Sequence, residues 1–125
     1  MAITGFFLIG IQSVSAQVNY SITINWDDES CDCTSVTVKK LTWALERIGA
    51  TPPQIDGESD KTVTGTSYSK SSNAPIITDC PGCYRLTAKI DYYENSEICC
   101  TGTNSVILDG DDLINSTVTL NITMY

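Results

Sequence analysis

Six cysteines constrain the fold of this chain more than any other feature. They form three close pairs along the sequence, which are Cys31 and Cys33, Cys80 and Cys83, and Cys99 and Cys100. In a short chain that leaves the cytoplasm, an even number of cysteines predicts disulfide bonds. In the cytosol the same thiolates would suit a structural zinc ion. The compartment therefore decides between a cross-linked fold and a metal site.

The N-terminal segment favours export. Residues 1–16 contain no charged side chain, and their apolar run from Ile3 to Ile11 is followed by small and polar residues that end at Ala16. This pattern is typical of a secretory leader cut before Gln17. A membrane anchor is the weaker alternative, because the run is well short of the ~20 residues that cross a bilayer. We therefore predict a leader at 1–16, a domain at 17–125, and a location that is extracellular or on the cell-envelope surface.

Export favours disulfides over a zinc site. The spacing of the cysteines along the chain then limits which of them can bond to each other. Pro81 and Gly82 are the residues that a type II turn prefers at its centre, so Cys80 and Cys83 can close on each other. Bonding the adjacent Cys99 and Cys100 to each other would strain the chain, so we expect different partners for them, with Cys31 and Cys33 as the candidates. A redox-active CxxC motif needs a helix after it, whereas a strand-like run follows here.

The charge balance excludes several classes of function. The chain carries fifteen acidic residues, seven basic residues and no histidine, for a net charge of −8. Nucleic-acid binding depends on basic contacts to phosphate, and an anionic membrane surface also attracts basic segments. We therefore expect no nucleic-acid partner and no membrane insertion after the leader is removed. Without histidine the chain cannot form a Ser-His or Cys-His couple, and we predict no catalytic residues and no enzyme activity.

Alternation of apolar and polar residues dominates the predicted domain. Period-two patterns, which are typical of half-buried strands, run over 18–26, 84–92 and 117–125. The run from Val36 to Leu45 is also strand-like, and its phase slips at Lys39-Lys40, which predicts a bulge. A helix over 41–48 is the alternative there, but Thr42 and Trp43 favour a strand.

The remaining segments predict shorter elements. Residues 54–61 are polar and contain glycine, so they predict a loop, and 70–73 predicts a connector. The predicted short strands are 62–69, 76–77, 98–101 and 105–108, and the last two flank a Thr-Gly-Thr-Asn turn. About seven strands in one domain favour an all-β fold, a single antiparallel two-sheet β-sandwich stabilised by disulfides.

One run resembles a known superfamily. Residues 84–92, Tyr-Arg-Leu-Thr-Ala-Lys-Ile-Asp-Tyr, resemble the F strand of immunoglobulin-like and fibronectin-like domains. The resemblance covers the last third of the chain and concerns only the fold. It implies an immunoglobulin-like sandwich and carries no function.

Two kinds of surface site are predicted. Asp109, Asp111 and Asp112 lie in a turn between strands and are candidate calcium ligands, because calcium prefers hard oxygen ligands on loops; a solvated turn is the alternative. Calcium is the one cofactor that the sequence suggests. Asn19, Asn115 and Asn121 begin acceptor triplets for N-glycosylation, which apply only in a eukaryotic or archaeal source.

The predicted function is a secreted or cell-surface structural or interaction subunit. Its regular, Thr-rich strands lie at the chain ends, where strand addition between neighbours builds filaments and larger surface complexes. The expected partner is another copy or a larger surface protein. The alternative is a monomeric extracellular module that binds calcium or carbohydrate, with the acidic turns and the aromatic residues Trp26, Tyr92 and Tyr93 as its candidates.

Overall fold

The computed structural model describes residues 16–125, which form seven strands and one short helix. The elements in chain order are β1 (Ala16–Asp27), β2 (Val38–Arg47), β3 (Gln54–Val63), β4 (Ser67–Ile76), β5 (Tyr84–Glu94), β6 (Glu97–Leu108), α1 (Asp112–Asn115) and β7 (Val118–Thr123). The predicted leader at 1–16 lies outside the described residues, except for Ala16, where β1 begins. Its cleavage stays a prediction.

The strands form two sheets that pack face to face. One sheet has the order β4-β1-β7 and the other β3-β2-β5-β6. Neighbouring strands run antiparallel except β1 and β7, which run parallel. The predicted all-β two-sheet sandwich with disulfides is thus confirmed, and the immunoglobulin-like resemblance stays a prediction.

Alternation along the strands builds the core between the sheets. On β1, the side chains of Tyr20, Ile22, Ile24 and Trp26 are buried, while the residues between them face outward. The same period places alternate residues of β5 and β7 in the core, because successive side chains of a strand point to opposite faces. The three runs with the clearest alternation are therefore the three strands that the sequence predicted best.

Residues 54–61 form most of β3, so the predicted loop is wrong. This segment pairs antiparallel with β2, and the pairing is irregular between Leu41 and Trp43 and between Leu45 and Glu46. Gly57 permits a close approach, because a Cβ atom there would lie 2.4 Å from the Trp43 carbonyl oxygen. Backbone pairing with a neighbouring strand has overridden the polar, loop-like composition.

Three other predicted elements are also wrong. The predicted strand 62–69 spans a turn at Gly65, whose φ is +68°, and the predicted connector 70–73 lies inside β4. The predicted Thr-Gly-Thr-Asn turn lies inside β6, where each of its residues pairs with β5. At 70–73 and at 101–104, a neighbouring strand fixes an extended conformation that the local sequence does not specify.

The predicted bulge at Lys39-Lys40 is absent from the described β2–β5 pairing, which continues without a break from Val38 to Arg47. Lys39 has the same parity as the buried Leu41, and its ammonium lies 4.7 Å from the centre of the Tyr92 ring. A cation over an aromatic face is a favourable contact at the rim of a core. The apparent slip in phase is therefore a lysine that occupies a core-facing position.

Candidate strand-exchange interface

The disulfides divide the described chain into a covalently closed loop and two flanking segments outside it. Cys31 bonds to Cys100 and Cys33 to Cys99, so the two adjacent cysteines have different partners, and Cys80 bonds to Cys83. No cysteine of the described chain is free. The outer bond encloses residues 31–100, which include β2 to β5. Strands β1 and β7 lie outside this loop and are held only by non-covalent contacts.

β1 is fixed on both sides within its sheet. It pairs with β4 over 16–25 and with β7 over 22–27. On its outer face, polar side chains bond directly across to β4: Ser21 to Ser71 and Thr23 to Ser69, each at 3.0 Å. Such cross-strand pairs add to the backbone ladder. β1 therefore cannot leave without breaking two strand pairings.

Among the described strands, β7 has one full pairing partner, β1. The parallel register runs from Ile22 opposite Val118 to Asp27 opposite Thr123. The Met124 amide then donates to the Asp27 carbonyl at 3.0 Å. The side chains that β7 and the following residue bury in the core are Val118, Leu120, Ile122 and Met124. β7 thus fills a groove whose floor is the core and whose wall on one side is β1.

The other wall of the groove is the edge of β6. Thr101 and Tyr125 exchange two backbone hydrogen bonds, of 3.1 and 3.0 Å. Farther along, the Asn104 side-chain amide donates to the Asn121 carbonyl oxygen at 2.8 Å. At Gly102 a Cβ atom would lie 2.7 Å from the Ile122 side chain and 2.8 Å from the Thr123 carbonyl oxygen. Gly102 is therefore what allows the end of β7 to lie so close to β6.

The opposite side of the sandwich is sealed by carboxylates that the sequence reasoning missed. Asp56 accepts hydrogen bonds from the Tyr20 hydroxyl and, at 2.5 Å, from the Ser72 hydroxyl. Glu58 accepts from the Tyr68 hydroxyl at 2.5 Å and from the Trp43 indole at 3.0 Å. The bonds from Tyr20, Ser72 and Tyr68 join β3 to the three-stranded sheet. Inward-pointing charges of this kind also protect an edge strand from unwanted pairing.

The carboxylates shift the pKa values of their partners. Burial, together with donation to the Asp56 carboxylate, raises the pKa of Tyr20, and burial with donation to Glu58 raises that of Tyr68. Burial alone would raise the pKa of Glu58. Hydrogen bonds from Tyr68 and Trp43, with the nearby lysine ammonium groups, outweigh it and hold this pKa below its usual range. Glu58 is thus held as an anion at neutral pH.

Two of the aromatic residues considered for ligand binding are part of the core. Trp26 and Tyr92 are 4% and 2% exposed. The Trp26 indole donates to the Tyr92 hydroxyl at 2.9 Å, and that hydroxyl donates to Asp28 at 2.7 Å. Burial and the bond to Asp28 raise the pKa of Tyr92 to about 12. These two rings are therefore not available to a ligand at the surface, whereas Tyr93 is half-buried.

The predicted calcium ligands make contacts of their own. The Asp109 carboxylate accepts the Gly82 amide at 2.7 Å, and the Asp112 carboxylate accepts the Asp109 amide at 2.9 Å. Asp111 is the N-cap residue of α1, and its side chain makes no capping hydrogen bond. Among the described residues, the one set of three potential ligands within 4.8 Å of one another is Cys33, Glu94 and Cys99, and its two cysteines are bonded together. A calcium site stays a prediction.

The three candidate glycosylation sites are exposed. Asn19 lies on β1 and Asn121 on β7, both in the three-stranded sheet. The Asn19 and Asn121 side-chain carbonyls accept amide hydrogens from Asn73 and Asn25, at 2.9 and 3.3 Å. Asn115 ends α1. Glycosylation at these positions stays a prediction.

The comparisons with known proteins identify no relative. No protein-family model matches the chain, and no curated protein or solved structure matches it significantly. From residue 16 onward, the structure has no helix that is both long enough and apolar enough to span a membrane.

Proposed function

We propose that this protein is a secreted or cell-surface structural subunit that joins other copies, or a larger surface protein, through exchange of a terminal β-strand. One observation carries the proposal: β7 lies outside the disulfide-closed loop 31–100 and fills a groove between β1 and β6. It can leave that groove without the reduction of either long-range disulfide.

The groove would accept an identical strand from a neighbour. Burying each large apolar side chain contributes about 1.5–3 kcal/mol, so a groove without its strand is strongly unfavourable. A second copy's β7 would restore every contact of Leu120, Ile122 and Met124. The contacts of β7 are therefore the same in the closed monomer and in the exchanged assembly. The equilibrium between these two forms then depends on the protein concentration and on the length of the connector.

The connector between β6 and β7 controls whether β7 can return to its own groove. It comprises residues 109–117 and contains α1. Terminal strand exchange needs a connector that opens, and a connector too short to close forces exchange with a neighbour. The two long-range disulfides would keep the remaining subunit folded while its strand is exchanged, which suits an oxidising compartment outside the cytoplasm.

The test changes the connector and leaves both strands intact. Residues 17–125, produced in an oxidising compartment, would be compared with a variant that lacks residues 114–116 and with one that has a Gly-Ser-Gly insertion after Ser116. Light scattering and negative-stain electron microscopy would measure the assembly. We expect the deletion variant to form dimers or longer polymers, and the insertion variant to be the most monomeric of the three.

The two variants change the length of the connector in opposite directions, so an effect of connector length must move the extent of assembly in opposite directions. If the deletion variant remains a folded monomer at all concentrations, strand exchange through β7 is refuted. Assembly of all three proteins to the same extent would also refute it, because the interface would then lie elsewhere.

A further inference from the structure

The Cys80–Cys83 disulfide closes a small ring at the end of the sandwich where β7 begins. Its sequence separation is 3, against 66 and 69 for the other two bonds. Pro81 and Gly82 form the turn between the cysteines, and the φ of Gly82 is +65°, as a type II turn requires. The ring lies between β4 and β5, and its turn is exposed.

Two hydrogen bonds join this ring to the start of the connector. The Gly82 amide donates to the Asp109 carboxylate at 2.7 Å, and the Gly110 amide donates to the Cys80 carbonyl oxygen at 3.1 Å. The ring thus donates one hydrogen bond to the connector and accepts one from it. Both depend on the orientation of backbone groups that the ring holds in place.

The connector also lies directly against the chain that leads into the ring. At Gly110 a Cβ atom would lie 1.9 Å from the Ile77 carbonyl oxygen and 2.8 Å from that of Thr78. Gly110 is buried, and no larger residue fits there without a shift of the backbone. The first turn of the connector is therefore seated tightly between residues 77–78 and the ring.

The ring contributes little to global stability. The entropy that a cross-link removes from the unfolded chain grows with the length of the loop it closes, so a ring of this size removes much less than the two long-range bonds. Its main effect is local, because it fixes the Cys80 carbonyl and the Gly82 amide in the orientation that binds the connector.

We propose that the Cys80–Cys83 disulfide is a redox-sensitive latch on β7. In the oxidised form the ring holds Asp109 and Gly110, and so keeps β7 in its own groove. Reduction by a dithiol breaks the Cys80–Cys83 bond, forms two thiols on this chain and converts the reductant to its own disulfide. The released segment then loses both hydrogen bonds to the connector, and β7 opens more readily. This inference rests on the proposed function only for its consequence, which is the exchange of β7.

The first test measures the latch in the monomer. Amide hydrogen exchange of β7 would be compared between the wild type and the Cys80→Ser/Cys83→Ser variant, at a concentration where both are monomeric. Two hydrogen bonds are lost, one to the Asp109 carboxylate and one to the Cys80 carbonyl, so we expect the β7 amides to exchange roughly tenfold faster. Amides of β2 and β5 should keep their protection, which shows that the sandwich remains folded. Unchanged protection of β7 would overturn the latch.

A second variant keeps the disulfide and removes only one of its contacts. Asp109→Ala deletes the acceptor of the Gly82 amide, and it should reproduce part of the faster β7 exchange. Dithiothreitol, at a concentration shown by mass spectrometry to reduce only Cys80–Cys83, should speed β7 exchange in the wild type and have no effect on the serine variant. An equal response of both proteins to dithiothreitol would contradict the proposal.

Failure of the latch can be distinguished from failure of the proposed function. If reduction loosens β7 but no oligomer appears at any concentration, the latch stands and strand exchange as a function falls. If oligomers form equally fast in both redox states and β7 protection does not change, strand exchange stands and the latch falls.

Discussion

The Asn104 side-chain amide on β6 donates to the backbone carbonyl of Asn121 on β7, at 2.8 Å. Its side-chain oxygen accepts the Ser105 backbone amide, also at 2.8 Å. One exposed side chain thus satisfies backbone groups on the facing edges of strands from different sheets. The Asn104 side chain therefore links β7 to β6 by a hydrogen bond.

Replacing Asn104 by alanine should loosen β7. Both hydrogen bonds are lost, and the edge groups they satisfied would turn to water, so we expect a loss of about 1 kcal/mol in the free energy of unfolding. Asn115→Ala is the matched control, because the Asn115 side chain makes no hydrogen bond in the structure's described part. Urea denaturation would measure both variants. Equal stability of the two would contradict the role given to Asn104.

A side chain at Gly102 should separate β7 from β6. The Cβ atom of Gly102→Ala would meet the Ile122 side chain and the Thr123 carbonyl oxygen at less than 3 Å. Overpacking of this kind costs about 1–3 kcal/mol, and Gly102→Val should cost more than Gly102→Ala. The control is Ser105→Ala on the same strand, whose side chain is exposed. A neutral effect of Gly102→Val on thermal unfolding would show that β7 does not lie this close.

The depressed pKa of Glu58 predicts a loss of stability in acid. Its folded pKa lies below its ordinary value of 4.5, so its contribution is fully present above that pH and is lost as the pH falls through the folded value. Glu58→Gln should cost about 1–2 kcal/mol at pH 7, because charged hydrogen bonds are replaced by neutral ones.

The check for Glu58 is urea denaturation of both proteins at pH 7, 4 and 3. The stability difference between the wild type and Glu58→Gln should shrink as the pH falls below 4.5. A constant difference over this range would mean that Glu58 is not the titrating group.

The raised pKa of Tyr92 predicts a loss of stability in alkali. The unfolded tyrosine ionises near its ordinary value of 10, whereas the folded one keeps its proton until about pH 12. Stability is therefore full below pH 10 and falls between pH 10 and 12, by about 1–3 kcal/mol.

Phenolate absorbance measured quickly after a pH jump would follow the ionisation, and denaturation at pH 9, 10.5 and 11.5 would follow the stability. Tyr92→Phe is the comparison variant. Its stability should fall less steeply than that of the wild type above pH 10, and parallel curves would assign the alkaline loss to other groups.

The long-range and the short disulfide should differ strongly in their effect on stability. Either long-range bond alone still closes a loop of more than sixty residues, so the large-loop entropy is released only when all four cysteines Cys31, Cys33, Cys99 and Cys100 are replaced by serine. This quadruple variant should cost about 4 kcal/mol or more, by the chain-entropy relation. The Cys80→Ser/Cys83→Ser variant should cost much less, because its loop has a separation of 3. Calorimetric unfolding of the two variants would compare them, and equal costs would show that strain or local packing outweighs loop entropy.

Local sequence predicted the strands whose two faces differ in polarity. β1, β5 and β7 alternate strictly, so one face of each must be buried, and this requirement defines both the strand and its core residues. The CPGC turn was also predictable, because proline and glycine prefer the two central positions of that turn. The disulfide partners of Cys99 and Cys100 were narrowed to two, and only the fold chose Cys33 and Cys31.

The contacts that form the candidate interface had weaker signals in the sequence. Gly102 stands inside a β-rich run, and an isolated glycine in a strand can mark a close backbone approach, so that signal was present. Nothing in the sequence around Asn104 or Asp56 indicates that their side chains bridge two sheets. Both contacts depend on the packing of segments far apart in the chain.

The sequence by itself determined that this chain is all-β, cross-linked by disulfides and built on three amphipathic strands, because alternation and cysteine spacing are local properties. Tertiary structure decided that residues 54–61 and 101–104 are strands, that β1 and β7 run parallel, and that β7 remains outside the covalent loop. The reason is physical: strand pairing and burial arise between distant segments, and their free energy exceeds the weak local preferences of polar and glycine-containing runs.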